Sequence, residues 1–266
     1  MADARILVIA DMHCGHKVGL TPPDWWALYP KSNPRQQKIS AIQRDTWKWF
    51  AKEVDRLKPF THLFCMGDAI DGKGERSGGT EQKTADRADQ AEMAAYVINY
   101  AEAPVVVMVA GTPYHTGSEE DWEAEIVPKI KAKKVHFEGH AFPRINGVQF
   151  DLKHHIGNST IPHGRFTAVA RDKLWNHLWH VERQGQPNAN VLIRAHIHEL
   201  RYCGTAYWHA VTCPALQGYG SKYGVRRCSG TVDVGFLVYD VGTDRTCKRI
   251  ECIAELPYQS IAPLQL

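Results

Sequence analysis

Arg5-Ile6-Leu7-Val8-Ile9-Ala10-Asp11-Met12-His13 is the stretch on which the fold turns. Its first six residues form a short, nearly unbroken apolar run, which reads as a strand buried on both faces. An acid and an imidazole follow at once. Two more runs repeat the arrangement. Thr61-His62-Leu63-Phe64-Cys65-Met66 leads into Gly67-Asp68-Ala69-Ile70-Asp71, and Val105-Val106-Val107-Met108-Val109-Ala110 leads into Gly111-Thr112-Pro113-Tyr114-His115. Between the first two runs, Ile39, Ile42, Trp47, Phe50, Val54 and Leu57 recur at helical spacing over 37–57, and Lys58-Pro59 closes that helix. Between the second and third, 82–101 reads as a helix closed by Pro104. Strands alternating with helices predict an α/β fold, and ligand sites in such sheets form beyond the carboxyl ends of the strands.

Downstream, Ser118-Glu119-Glu120-Asp121 carries a capping signature and predicts a helix as far as Lys133. Asn146-Gly147 between Phe142–Ile145 and Val148–Leu152 predicts a tight hairpin, whose second strand runs into His154-His155. A helix is expected over 166–182, with Leu174, Trp175, Leu178 and Trp179 spaced as a core face. The run Val191-Leu192-Ile193 then leads into Arg194-Ala195-His196-Ile197-His198. From about residue 199 the chain becomes β-rich, with a further hairpin turning at Val241-Gly242-Thr243-Asp244. No repeat, low-complexity tract or linker divides it, so residues 1–266 are expected to form one domain.

Composition excludes several classes. With 44% hydrophobic and 23% charged residues, the chain is globular rather than disordered. Lys and Arg number 32 against 29 Asp and Glu, a net charge of +3 that does not mark a nucleic-acid binder. Seven scattered cysteines offer no C-x-x-C pair, which excludes zinc ribbons and thioredoxin motifs. Met1-Ala2-Asp3-Ala4-Arg5 places an acid where a signal peptide carries positive charge, and Ile6–Ala10 is too short to span a membrane. The expectation is a cytoplasmic protein with no membrane partner. The 14 histidines are the unusual entry. Some, such as His62, His136 and His177, have no special placement; five stand at strand ends with acids, and mixed carboxylate and imidazole donors suit Mn, Fe or Zn better than Ca or Mg alone.

Taken in order, Asp11-x-His13, Gly67-Asp68-x-x-Asp71, Gly111…His115, His154 and Ala195-His196-x-His198 resemble the calcineurin-like metallophosphoesterase family. The resemblance runs from Asp11 to His198 and implies a four-layer α/β/β/α sandwich of two facing mixed β-sheets with outer helices. It also implies two divalent metal ions, manganese first with iron, zinc, nickel or cobalt as alternatives. Carried over by position, Asp11, His13, Asp68 and His198 would hold one ion. Asp68 would bridge to the second, completed by His154 and His196. Such a centre activates hydroxide for in-line attack on a phosphate ester, with His115 as proton donor or charge stabiliser and Asp71 supporting a ligand.

The chain departs from the family pattern at three points. Asn, the usual ligand in the third motif, is missing from Gly111-Thr112-Pro113-Tyr114-His115, so the second ion is expected to bind more weakly, to take an extra water or to recruit His115 as a ligand. Ala195 stands where the family has Gly. Strand alternation through Phe150 and Leu152 favours His154 over His155. Trp25, Trp26, Tyr29, Lys31 and Arg35 form an aromatic–basic loop, read chiefly as packing and secondarily as a substrate lip. Lys73 and Arg76 lie in a glycine-rich loop, and Tyr219, Lys222, Tyr223, Arg226 and Arg227 form a basic–aromatic cluster. The expected partner is a phosphate ester, with phosphodiesters (a nucleotide or nucleic acid) favoured over phosphomonoesters. A metal-binding member without catalysis and a mononuclear zinc hydrolase are the competing readings.

Overall fold

The computed structural model describes residues 3–26, 34–117, 121–221 and 231–256. Within the first sheet run β1 (Ala4–Ile9), β2 (His62–Cys65), β3 (Val105–Val109), β4 (Lys134–Glu138), β10 (Gly235–Val241) and β11 (Cys247–Ile253), in the order β11-β10-β1-β2-β3-β4. β1 to β4 are parallel to one another, and β10 pairs antiparallel with both β1 and β11. A second sheet has the order β5-β6-β7-β9-β8, from β5 (Arg144–Ile145), β6 (Val148–Leu152), β7 (Val191–Arg194), β8 (Arg201–Gly204) and β9 (His209–Thr212). Here β6, β7 and β9 are parallel, flanked by antiparallel partners.

Strand alternation divides the apolar side chains between layers. Ile6, Val8, Phe64, Met66 and Val107 of the first sheet meet Phe150, Leu152, Ile193 and Val211 of the second in one core. Leu7, Ile9, Leu63, Cys65, Val106 and Met108 face the other way, onto α1 (Pro34–Leu57) and α2 (Arg87–Tyr100). A single helical turn, α3 (Pro113–Thr116), comes just after β3. Leu192 and Ala210 on the outer face of the second sheet meet Ala168 and Val169 of α4 (Thr167–Val181). The result is the expected sandwich of two facing mixed sheets between outer helices. No helix among the described residues is long and apolar enough to cross a membrane.

Several elements differ from expectation for identifiable reasons. α2 starts at Arg87, not at 82, because the Asp86 side chain accepts from Ala88 N at 2.8 Å and caps it there. Of the helix expected over 118–133, Ser118–Glu120 lie outside the described residues, and the remainder forms only a short 3-10 helix, Ala124–Lys129. Pro128 inside it lacks the N–H a longer helix requires. The chain then enters β4, an edge strand with Val135 and Phe137 turned inward and charged residues outward. α4 is reversed relative to its expected face. Lys173 and Asn176 are buried, while Leu174, Trp175 and Trp179 are exposed. The inward polar groups are all satisfied: Lys173 Nζ donates to Asn176 Oδ1, Asn188 Oδ1 and Ala189 O, and Asn176 Nδ2 donates to Asp151 Oδ2. Trp25 and Trp26 pack on the helix-side core, and Trp26 Nε1 donates to Thr21 O.

Phe150 lies at the centre of the inter-sheet core, edge-on to Phe64 at 5.4 Å and to Tyr239 at 5.9 Å. Phe150→Ala is expected to lower the unfolding free energy by about 3–5 kcal/mol in urea denaturation. Trp175→Ser on the outward face of α4 should stay within about 0.5 kcal/mol. Equal effects at the two positions would contradict the layer assignment.

Candidate metal centre

Every residue at issue sits just past a parallel strand: Asp11 and His13 after β1, Asp68 and Asp71 after β2, Thr112 and His115 after β3, His154 after β6, and His196 and His198 after β7. Bringing these ends together takes glycine at two places. A methyl group on Gly67 (φ +85) would stand 2.8 Å from the backbone of Gly111 and 2.9 Å from His154 Nδ1; one on Gly111 would stand 2.3 Å from Asp68 Oδ1. No larger residue fits there.

The side chains gather into three groups whose ligand atoms lie within 4.8 Å of one another: Asp11, His13 and His198; Asp68, His154 and His196; and His13, Asp71 and His115. In the first, His198 Nε2 is 3.3 Å from Asp11 Oδ1 and 3.2 Å from His13 Nε2. Two imidazole nitrogens facing each other at that distance need a proton or a cation between them. In the second, His154 Nε2 is 3.0 Å from Asp68 Oδ2. His154 is buried and His155 exposed, its ring 4.8 Å from that of His196. Asp68 falls in the second group and not the first.

Orientation comes from the other ring nitrogen of each histidine. His13 Nδ1 donates to Asp71 Oδ1 at 2.8 Å and His154 Nδ1 to Met66 O at 2.6 Å, leaving Nε2 of both rings toward the cluster. Asp71 also accepts from Gln82 Nε2, and its Oδ1 lies 3.3 Å from His115 Nδ1. Thr112 stands where the motif would place Asn. Its N and Oγ1 both donate to Asp68 Oδ1, at 2.7 and 3.0 Å. Ala195 is buried and its N donates to His154 O at 2.8 Å, so the methyl is accommodated.

Three residues of the surround carry no sequence signal. Glu123, fully buried, accepts from Ala69 N at 2.6 Å and Gly111 N at 2.7 Å, tying together the loops after β2 and β3. Gln90 Oε1 accepts from Asp71 N and Gly72 N, and Gln82 holds Asp71. All three contacts join residues far apart in the chain or hang on loop geometry, so no local spacing marks them.

Electrostatics follow from burial and pairing. For Asp68, burial opposes ionisation, but the charge and hydrogen bond of His154, then His115 and His13, outweigh it and hold the carboxyl well below its usual range. Burial likewise works against a charged His154, yet Asp68 and Asp11 raise it to about 10. His115 is raised to about 9: its burial is overcome by the hydrogen bond to Asp71 and the charge of Asp68. Burial pushes His196 down to about 4, and the Glu123 carboxyl, buried beside Asp68, up to about 8.

Two observations bear on a bound cation. Buried Asp11 Oδ1 faces His198 Nε2 at 3.3 Å and buried His154 Nε2 faces Asp68 Oδ2 at 3.0 Å, so each group turns an acid oxygen and an imidazole nitrogen toward one point. Asp11, His13, Asp68, His196 and His198 all have positive φ, between 45° and 74°, which non-glycine residues avoid at about 1–3 kcal/mol each. Backbone strain gathered on these five residues, whose acids and imidazoles crowd into one largely buried cluster with His154, fits a centre that divalent cations complete.

No protein-family model matches the chain, and no curated protein does. Solved structures to which it is similar include zinc-complexed wild-type Vps29 from Entamoeba histolytica (13% identity over 93% of this chain and 98% of that one, TM-score 0.41). Others are Vacuolar Protein Sorting 29 from Cryptosporidium parvum (12%, 96% and 99%, 0.44) and a novel archaeal phosphodiesterase (11%, 93% and 99%, 0.44).

A cation at the second group must displace the proton that His154 carries below about pH 10. Manganese binding is therefore expected to release about one proton between pH 6 and 9 and to tighten about tenfold per pH unit. Calorimetry in two buffers of different ionisation enthalpy reads the proton directly; affinity independent of pH would contradict the assignment.

Proposed function

We propose that the chain is a metal-dependent phosphoesterase with a binuclear centre. Asp11, His13 and His198 would hold one divalent cation, and Asp68, His154 and His196 the other. The observation that carries this reading is the gathering of Asp11, His13 and His198, and of Asp68, His154 and His196, into two largely buried groups whose ligand atoms lie within 4.8 Å of one another. Carboxylates mixed with imidazoles suit manganese first, with iron, zinc, nickel or cobalt as alternatives. When bound, the cations supply Lewis acidity, making hydroxide available near neutral pH and neutralising phosphate oxygens.

The protein's own groups do the remaining work. His115 Nδ1 faces Asp71 Oδ1 at 3.3 Å, a pairing that favours its charged form and suits it to give a proton to a leaving alkoxide. Asp71 holds both His13 and His115, so it positions a ligand and the acid together. Glu123 and the two glycines keep the strand ends at fixed separation. The substrate is a phosphate ester, and phosphodiesters such as nucleotides or nucleic acid strands are favoured over phosphomonoesters. The aromatic and basic residues behind that preference divide: Trp25 and Trp26 pack on the core, while Tyr29, Lys31, Lys222, Tyr223, Arg226 and Arg227 lie outside the described residues, as do the side chains of Arg35 and Arg76.

A second reading has one observation behind it. Thr112 Oγ1 donates to Asp68 and is a poorer neutral oxygen ligand than the Asn carbonyl it replaces, which favours a metal-binding protein without turnover. Assays with manganese separate the readings. Bis-p-nitrophenyl phosphate is expected to be hydrolysed faster than p-nitrophenyl phosphate, and Asp68→Asn to abolish both. Turnover of the monoester alone overturns the diester preference, and no turnover of either leaves the non-catalytic reading. His115→Asn should cost about 10²–10⁴-fold on an alkyl phosphodiester and far less on a p-nitrophenyl ester, whose leaving group needs no proton. Equal losses on the two would remove His115 from the acid role. Asp71→Asn should cost about 10–100-fold in manganese affinity or turnover.

A further inference from the structure

The amino ends of β6, β7 and β9 point away from the metal centre, and a cavity of about 740 Å³ opens over them. Val148, Val191 and His209, the first residues of those three strands, contribute to its floor. Its walls are the β5–β6 turn, the β10–β11 turn, the Thr205–Trp208 turn between β8 and β9, and the segment from α4 to β7. None of these elements supplies a proposed metal ligand.

The chemistry of the lining is one-sided. Arg144 and Arg245 contribute two guanidiniums, and among the described residues no Asp or Glu lines the cavity. Asp244, next to Arg245, is turned back into its own hairpin, where Oδ1 accepts from Thr246 N and Oγ1 at 3.0 and 2.7 Å. Arg245 has φ +69, a conformation that favours glycine or asparagine. Its side chain lies across the neighbouring turn, so that a methyl on Gly147 would come within 2.9 Å of Arg245 Nε. A strained arginine laid over a second turn beside Arg144 makes a cationic wall.

The opposite wall is aromatic. Tyr207 is 86% exposed and Trp208 half-buried, the latter with Lys173 Nζ 5.8 Å from its ring centre. The two walls stand at opposite edges of the sheet, whose order is β5-β6-β7-β9-β8, and Asn188 and Asn190, in the segment entering β7, also line the cavity. Cations facing flat rings across a pocket of small-molecule size suit a ligand that has an aromatic ring at one end and an anion at the other.

We propose that this cavity binds a mononucleotide-type ligand, its phosphate on Arg144 and Arg245 and its base against Tyr207 and Trp208. The site is separate from the metal centre and does not depend on its activity. Arginine is the residue suited to phosphate because its planar fork gives two parallel hydrogen bonds. The base needs no specific partner to stack, so the aromatic wall sets a preference for a planar ring over a bare anion.

The test titrates AMP, adenosine and inorganic phosphate separately into the full-length chain by calorimetry, with EDTA present so that no cation carries phosphate to the other end. Saturable AMP binding, stronger than that of adenosine or phosphate, is expected. Arg245→Gly, which suits the turn's positive φ, and Arg144→Ala should each weaken AMP about tenfold or more. Trp208→Leu should weaken AMP while leaving phosphate unchanged, and His196→Ala at the metal centre should leave AMP binding unchanged. No saturable AMP binding in the unmodified chain overturns the proposal. So does AMP binding that survives both arginine substitutions or disappears in His196→Ala, and phosphate binding equal to AMP overturns the role of the aromatic wall.

Discussion

The crowding of two buried acids, Asp11 and Asp68, with the imidazoles of His13, His154, His196 and His198 is the constraint around which the strand ends are arranged. Taking ionisable groups out of water costs several kcal/mol each unless an opposite charge completes them. Here the cost is concentrated, because the same few residues also adopt positive φ. A fold selected for stability alone would place Asn or Gly at Asp11, Asp68 or His196. Keeping acids and imidazoles there makes sense when something of opposite charge completes them.

The surrounding structure reads as support for that arrangement. Gly67 and Gly111 allow two backbones and the His154 ring to meet at distances no side chain permits. Glu123 then fixes the gap with two short hydrogen bonds from backbone N–H groups, and Gln90 does the same for the turn at Asp71 and Gly72. Behind the second sheet, buried Arg194 donates to Asp151 at 2.7 Å and to Asp172 at 2.8 Å just before Ala195-His196. Each of these polar groups is satisfied by a named partner, which holds the strand ends in place around the cluster.

Much of the layout was legible in the chain itself, and the reason is periodicity. Buried parallel strands read as short apolar runs, and the residues after them fall at the sheet's carboxyl end whatever the helices between them do. Asp11, His13, Asp68, His154, His196 and His198 could therefore be placed together before any contact was known. What escaped was what depends on distant partners. Glu123 reaches Ala69 across 54 residues, and its neighbourhood looked like a capped helix until Pro128 is weighed. β4 alternates over only five residues after a lysine-rich stretch. In α4 the hydrophobic spacing pointed the wrong way, since Lys173 and Asn176 find enough buried acceptors and donors to displace Trp175 and Trp179 from the core. Thr112 could be recognised as a departure, but that its hydroxyl is given to Asp68 required the geometry.

The binuclear assignment is tested most directly by counting ions in place. Crystals of the chain grown with manganese and measured on both sides of the metal's absorption edge should show two anomalous peaks. One should lie among Asp11, His13 and His198 and the other among Asp68, His154 and His196. A single peak, or a peak held instead by His13, Asp71 and His115, would contradict it.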